Sequence, residues 1–382
     1  MAEMTPKQRL LAAIRHEEPD RVPVAPRMHM WSGEQYGSHS WLRQLKLQEE
    51  FGTDPIVEIL LPQSRTWFDD HTGLARNGVE VEVRVEDRGD YSRMRRCFHT
   101  PAGDLSEVLD LPAPGDRYGA NPRPVRRESL LKETADAQRI AFLFPDPQRL
   151  IREDLPLIVE LIGERGLLQV GGGGAAAITR FMGMEQTMLT YYDNPEMFDR
   201  LLQVFEKHHL RVVQALLERG VPVIYNGWHD FGVSTGWSPK IYREAFKPII
   251  QAAVDLTHRY DAVYLYFDNG AIRALLPDIA ELGVDILSSL CPPPVGDVDL
   301  AEAKRSIGDR VCLHGNVDAI WVVQKGTPGQ VREAVREAIR VAAAGGGFIL
   351  GNSDCFFPET PRENIEAFFA AAREFGHYPV KL

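Results

Sequence analysis

Ionisable and polar side chains stand just past the apolar runs of this chain, in the same relation to each. Arg27 and His29 follow Val22-Pro23-Val24, and Glu58 lies inside the run 55–61. Trp228, His229 and Asp230 follow the run 222–226. Asp268 and Asn269 follow the run 262–267, which also carries Tyr266. His314, Asn316 and Asp318 come after 310–313, and Asn352, Asp354 and Cys355 after 346–350. Carboxylates and imidazoles are the usual groups of general acid–base catalysis. His229, Asp230, Asp268 and His314 are therefore the candidate catalytic residues. Arg27, His29, Glu58, Trp228, Tyr266, Asn269 and Asn352 are the candidate substrate contacts. Each also has a plainer reading. His229 and His314 could hydrogen-bond their loops, Asp230 could cap one, and Cys355, next to Phe356 and Phe357, could be a small buried hydrophobe. Cys312, between Val311 and Leu313, reads as core.

Alternating strand and helix signals position these residues. Thr5, Pro6 and Gln8 form the start signal of a first helix, with Thr5 as N-cap and Gln8 completing a capping box. Val22-Pro23-Val24 is a short strand, 40–51 a helix and 55–61 a buried strand. From about 129 onward strands at 167–170, 222–226, 262–267, 284–288, 310–315 and 346–351 alternate with helices, including a long one at 195–219, one from Ser238 and Pro239, and a last one opening at Thr360-Pro361. Such alternation implies parallel strands covered by helices. The number of units favours a closed (β/α)₈ barrel, whose active site lies at the C-terminal ends of its strands. Residues 79–109 break the pattern with turn signals at 88–90 and 100–103, which predict an antiparallel hairpin and a third short strand after it, inserted into one barrel domain spanning 1–382. The stretch 111–127, rich in Pro, Gly and Arg, reads as an irregular connection. Gly171–Gly174 could cradle an anion at a helix N-terminus or simply permit close packing.

With 43 Lys and Arg against 54 Asp and Glu in 382 residues, the net charge is −11. A chain so acidic lacks the basic surface that phosphate backbones require, so no nucleic-acid partner is expected. Four cysteines are too few for a disulfide framework. No apolar run reaches the roughly 18 residues of a membrane span, and the first twenty residues show no secretory signal. A cytoplasmic protein with no membrane partner is the expectation.

Taken together, TPKQRLLAAIRHEEPDRVPV, SPKIYREAFKPII, IRALLPDIAELGVDILSSL, LHGNVDA and TPRENIEAF make the chain resemble the uroporphyrinogen decarboxylase superfamily. That superfamily includes the tetrapyrrole decarboxylase and corrinoid-dependent methyltransferases, and the resemblance covers nearly the whole chain. It implies a (β/α)₈ barrel. Two departures bear on the branch. The decarboxylase's signature, Met-Arg-Gln-Ala-Gly-Arg, supplies cations for substrate carboxylates, whereas the matching place here, Pro26 to Trp31, has the single arginine Arg27. The methyltransferases' zinc is held by a His-x-Cys pair and a later Cys. Cys355 matches the later one, but the pair falls on Phe267 and Asn269. A rebuilt zinc site would then draw on Cys355, His229 and His314, with Asp268 as an oxygen donor.

The resemblance, with these departures, implies a methyltransferase that moves a methyl group between a small methylated substrate, such as a methyl ether or methylamine, and a corrinoid. The chain has no Asp-x-His-x-x-Gly corrinoid motif, so the corrinoid would come with a partner protein. The alternative is a decarboxylase of a porphyrinogen or smaller acid that needs no cofactor, with Asp230 or Asp268 stabilising a cationic ring. A non-catalytic ligand cup is the third reading, and the convergence of ionisable groups weighs against it.

Overall fold

Thr5 opens the first helix as its neighbours require. Its hydroxyl accepts the Gln8 N–H (3.2 Å) while the Gln8 side chain accepts the Thr5 N–H (3.0 Å), and Pro6 starts the helix Pro6–Ile14. The structure, a computed structural model, describes residues 3–36, 40–61, 78–113, 124–172, 178–226 and 237–380. The chain forms two compact units, one of residues 1–61, 153–173 and 213–382, the other of 62–152 and 174–212.

The first unit is built on seven parallel strands, β1 (Ile56–Leu60), β6 (Leu167–Gly172), β7 (Val223–Asn226), β8 (Val263–Asp268), β9 (Ile286–Ser289), β10 (Cys312–Val317) and β11 (Phe348–Asn352), paired in that order. The second unit holds β2 (Glu80–Asp87), β3 (Tyr91–Thr100), β4 (Gly103–Pro112) and β5 (Val125–Glu128). The short segment around Val24 closes the parallel sheet on itself. Val24 bridges Leu350 of β11 in parallel, and its carbonyl accepts the Asp54 N–H (2.8 Å) at the foot of β1. Counting that segment, eight strands make the barrel that the alternation predicts. Among the described residues, no helix is long and apolar enough to cross a membrane.

First residues of the strands (Ile56, Leu167, Val223, Ile286, Cys312) meet Leu10, Ala13 and Ile14 in one buried cluster. The helix Pro6–Ile14 thus fills the N-terminal end of the barrel, and Cys312 is core. Gly171 lets β6 approach β7, because a Cβ there would collide with the Tyr225 carbonyl. That is the packing reading of this glycine; Gly173 and Gly174 lie outside the described residues.

Asp54 ties the barrel's seam. Fully buried, it accepts hydrogen bonds from Arg9 (2.5 Å), Arg21 (2.7 Å) and the Val24 N–H (2.9 Å), and Arg9 reaches on to Asp20 (2.6 Å). Burial pushes the Asp20 carboxyl up, but its hydrogen bonds to Arg9 and to the Met4 and Arg21 N–H groups outweigh that and hold it at about 2.

The second unit's strands form an antiparallel sheet in the order β2-β3-β4-β5. The turns fall at 88–90 and 101–102, where the sequence places them. The sheet runs beyond the predicted hairpin: β4 reaches Pro112, and part of the stretch read as irregular, Val125–Glu128, is a fourth strand. Its pairing is carried by charge as well as backbone. Arg127 and Arg93 both bind Asp110 (2.6 and 2.7 Å), and Arg96 and Arg126 both bind the buried Glu107. A run of arginines reads as loop by composition, but facing acidic residues across a ladder make it strand. Two further differences concern helices. His29–Tyr36 is helical beyond what the sequence predicts, and the helix expected from Ser238 begins with a short turn, Pro239–Ile241, and a π-helical turn, Tyr242–Phe246, before Lys247–His258.

Removing Asp54 leaves Arg21 and the Val24 N–H without their carboxylate at the seam and Arg9 with Asp20 alone. Asp54→Ala should cost about 3–5 kcal/mol, as for breaking a buried ion pair, read as a fall in the urea midpoint. The Asp20 contribution is present above the unfolded carboxyl value. It should be lost as pH falls from about 4 toward 2, a stretch of the stability–pH curve that Asp20→Asn should flatten.

Candidate active site

Arg27 follows the closing segment, at the C-terminal end of the barrel, and its side chain is buried. Its backbone is clamped first. The Asn352 side-chain oxygen accepts the Arg27 N–H (3.0 Å), the Asn352 amide donates to the Arg27 carbonyl (3.1 Å), and the Phe356 N–H donates to the same carbonyl (2.9 Å). The guanidinium then lies 4.5 Å from the ring centre of Phe267 and 5.6 Å from that of Tyr225. One nitrogen, Nη2, donates to both oxygens of Glu58 (3.1 and 3.0 Å), and Nη1 lies 3.4 Å from Asp354.

Glu58 is held on all sides. Gln169 on the adjoining strand β6 donates to it (2.7 Å), His29 Nδ1 stands 3.2 Å from it, and Gln44 brackets its backbone N–H and carbonyl. Burial pushes this carboxyl up, but the charges of Arg27 and His29 and the hydrogen bonds of Arg27 and Gln169 prevail and hold it below the usual carboxylate range. Asp354 has less support, from Arg27 and from the Asn269 amide (3.3 Å). There burial wins and the carboxyl is raised. One buried cation thus separates two carboxylates, one fixed ionised and the other readier to carry a proton, the usual route to an acid–base division of labour.

Cys355 is buried beside this group. Its Sγ lies 3.8 Å from His29 Nδ1, and burial pushes the thiol up to about 12 despite Arg27 nearby. His314 is buried in β10, over Gly351, where a Cβ would sit 2.8 Å from its Nε2. Nε2–H donates to the Ala25 carbonyl (2.8 Å), and Nδ1 has no hydrogen-bond partner among the described residues. Burial lowers this imidazole to about 4, so it is neutral at pH 7. Asp268 folds back on its own loop, accepting the Gly270 N–H (2.9 Å), while its carbonyl accepts the Ser289 hydroxyl (3.2 Å). Tyr266 is buried. Trp228, His229 and Asp230 lie outside the described residues.

The structure therefore joins Arg27, His29, Glu58, Asn269, Asn352 and Cys355 into one group. To these it adds Asp354, Gln169, Gln44 and Tyr225, to which sequence reading gave no role. Gln169 is the polar residue inside an otherwise apolar strand run, which is a legible signal. Asp354 stands between two residues already singled out. Gln44 and Tyr225 carried no signal beyond ordinary helix and strand composition.

The zinc implied by the resemblance is not supported by these residues. Phe267, at one missing ligand position, lends its ring face to a guanidinium, and Asn269, at the other, binds Asp354. Among the described residues, the ligand-type side chains whose donor atoms gather within 4.8 Å of one another are Cys97, His99 and Asp104, not Cys355 and its neighbours. A dication next to a buried guanidinium would also be repelled. The described part of the site does not fit a zinc.

A closed parallel barrel carrying convergent ionisable residues at its strand C-termini is the architecture of an enzyme. Residues 120–375 match the family described as Uroporphyrinogen decarboxylase (URO-D), two thirds of the chain, and the chain belongs to that family. It is 27% identical over 243 residues to the uroporphyrinogen decarboxylase of Synechococcus sp. (strain CC9605), a match covering 58% of this chain and 64% of that protein. The chain thus spans less than two thirds of the length of the first curated relatives it matches. It is 23% identical over 380 residues to the methylcobamide:CoM methyltransferase MtaA of Methanosarcina barkeri, covering 98% of this chain and 99% of the other. A solved methyltransferase from Methanosarcina mazei shares the fold, with a TM-score of 0.62, 21% identity and 98% and 99% coverage.

Glu58→Gln should leave Arg27 buried and undercompensated, lowering stability by about 3–5 kcal/mol. Adding Arg27→Met should recover most of that loss without recovering any activity. A double-mutant cycle by chemical unfolding checks this, and additive single losses would show that the pair does not act as one unit.

Proposed function

We propose that the chain is a methyltransferase that moves a methyl group between a small methylated compound and a corrinoid carried by a partner protein. The observation that carries this reading is the state of Arg27. A polycarboxylate substrate needs cations free to pair with it, and this guanidinium is already taken by Glu58 and Asp354. The mouth that results suits a neutral or cationic methylated compound. Matching along nearly its full length to a protein named as a methylcobamide:CoM methyltransferase supports the same reading.

The residues divide the work by charge. Arg27 and Gln169 keep Glu58 a carboxylate, and the Arg27–Glu58 pair, its two charges matched, orders the mouth. An oxygen or nitrogen that gives up its methyl group to a reduced corrinoid gains an electron pair, and a proton delivered there makes it a better leaving group. Asp354 is the proton donor in this reading. Its raised carboxyl holds a proton at higher pH than a free one would, and the Asn269 amide orients it. In balance, the carbon–heteroatom bond breaks, the methyl group goes to the corrinoid, and the Asp354 proton goes to the heteroatom.

With free reduced cobalamin as acceptor and a panel of methyl ethers and methylamines, the corrinoid spectrum should report methylation. Asp354→Asn should lower kcat roughly 100-fold or more with a smaller change in KM. Because the acid must be protonated, wild-type activity should fall as pH rises through the raised Asp354 value, and the variant should lose that limb. Uroporphyrinogen should give no coproporphyrinogen. Rapid decarboxylation with no methyl transfer would replace this reading with the decarboxylase one.

A further inference from the structure

We infer that the antiparallel sheet carries a binding site for a divalent, borderline-soft cation such as zinc, formed by Cys97, His99 and Asp104, with Glu82 beside them. The site shares no residue with the barrel mouth and is independent of the methyltransferase reading. Cys97 and His99 are two apart on β3, so they project from one face of the sheet. The ladders bring Glu82 of β2 opposite Cys97, and Asp104 of β4 opposite His99. Residues directly opposite share a face, so a thiol, an imidazole and two carboxylates from three strands meet there.

Their atoms converge. One donor atom each from Cys97, His99 and Asp104 lies within 4.8 Å of the others. The imidazole is flanked on both edges, with Nδ1 2.9 Å from Asp104 and Nε2 3.7 Å from Glu82. Zinc binds sulfur at about 2.3 Å and nitrogen or oxygen at about 2.0–2.2 Å, which sets ligands about 3.3–3.6 Å apart in a tetrahedron. Side-chain rotation alone closes the remaining gap, because all four groups are half-buried or exposed. With Nδ1 and Asp104 on the metal, Nε2 keeps Glu82 beside it (3.7 Å), the arrangement that orients metal-bound histidines. Binding would release the Cys97 thiol proton to solvent and leave a thiolate ligand. The neighbouring cation, Lys132, is turned to the carbonyl and hydroxyl of Ser106 (2.9 and 3.0 Å). The bound ion would cross-link β3 and β4 on one face of the sheet.

Cobalt(II) titration of the metal-free full chain reads this directly, since a cysteine thiolate on cobalt gives a near-ultraviolet charge-transfer band. One equivalent should bind, with the band present in wild type and Cys355→Ser and absent in Cys97→Ser. Zinc should displace the cobalt, and His99→Ala and Asp104→Asn should each weaken binding by roughly tenfold or more. Circular dichroism would show that the variants stay folded. A band kept in Cys97→Ser and lost in Cys355→Ser, no band in any protein, or binding unchanged in His99→Ala and Asp104→Asn (an adventitious ion only) would each overturn the site.

Discussion

A guanidinium withdrawn from water at the mouth of a barrel costs several kcal/mol unless its charge is met where it lies, and most of the site's architecture answers that demand. Glu58 and Asp354 supply the charge, Phe267 and Tyr225 the ring faces, and Asn352 fixes the backbone from which Arg27 reaches. Gln44 and Gln169 then fix Glu58 in turn. The compensation is unequal. Glu58 takes two contacts and Asp354 a longer single one, so the two carboxylates end with opposite tendencies toward a proton. A single buried cation thus differentiates two otherwise similar acids.

The same cation explains why the expected metal position looks as it does. Where the resemblance places a first histidine, Phe267 offers a quadrupole instead of a lone pair, and that face attracts a guanidinium. Cys355 keeps its place but remains a protonated thiol, held so by burial.

Much of this arrangement was legible because barrel strands announce their C-terminal ends. Arg27, His29, Glu58, Asn269, Asn352 and Cys355 each stand within or just past an apolar run, and all belong to one group. Position along a strand gives no side-chain direction, however. His314 stands in the same relation to its run, yet its Nε2 holds the Ala25 carbonyl, and Asp268 turns to the amide of Gly270. Gln44 escaped notice because its role is to hold another residue's backbone across a helix–strand contact. The capping boxes at Thr5 and Thr327 show the opposite situation, since both partners lie within three residues and the sequence contains the whole interaction. The fourth antiparallel strand was hidden because cross-strand charge, rather than β-propensity, holds it.

Asn352 clamps Arg27 across 325 positions of the chain. Contacts at such separation are the slowest to form, because loop-closure entropy must be overcome before they contribute. During synthesis the arginine, its carboxylate on β1 and the glutamine on β6 all emerge long before β11, which delivers both the amide clamp and Asp354. The half-built mouth would have to hold a charged pair open to water until the last strand docks. The assembled group is therefore a property of the finished ring, and a nascent chain truncated before β11 would hold most of its residues without the contacts that join them.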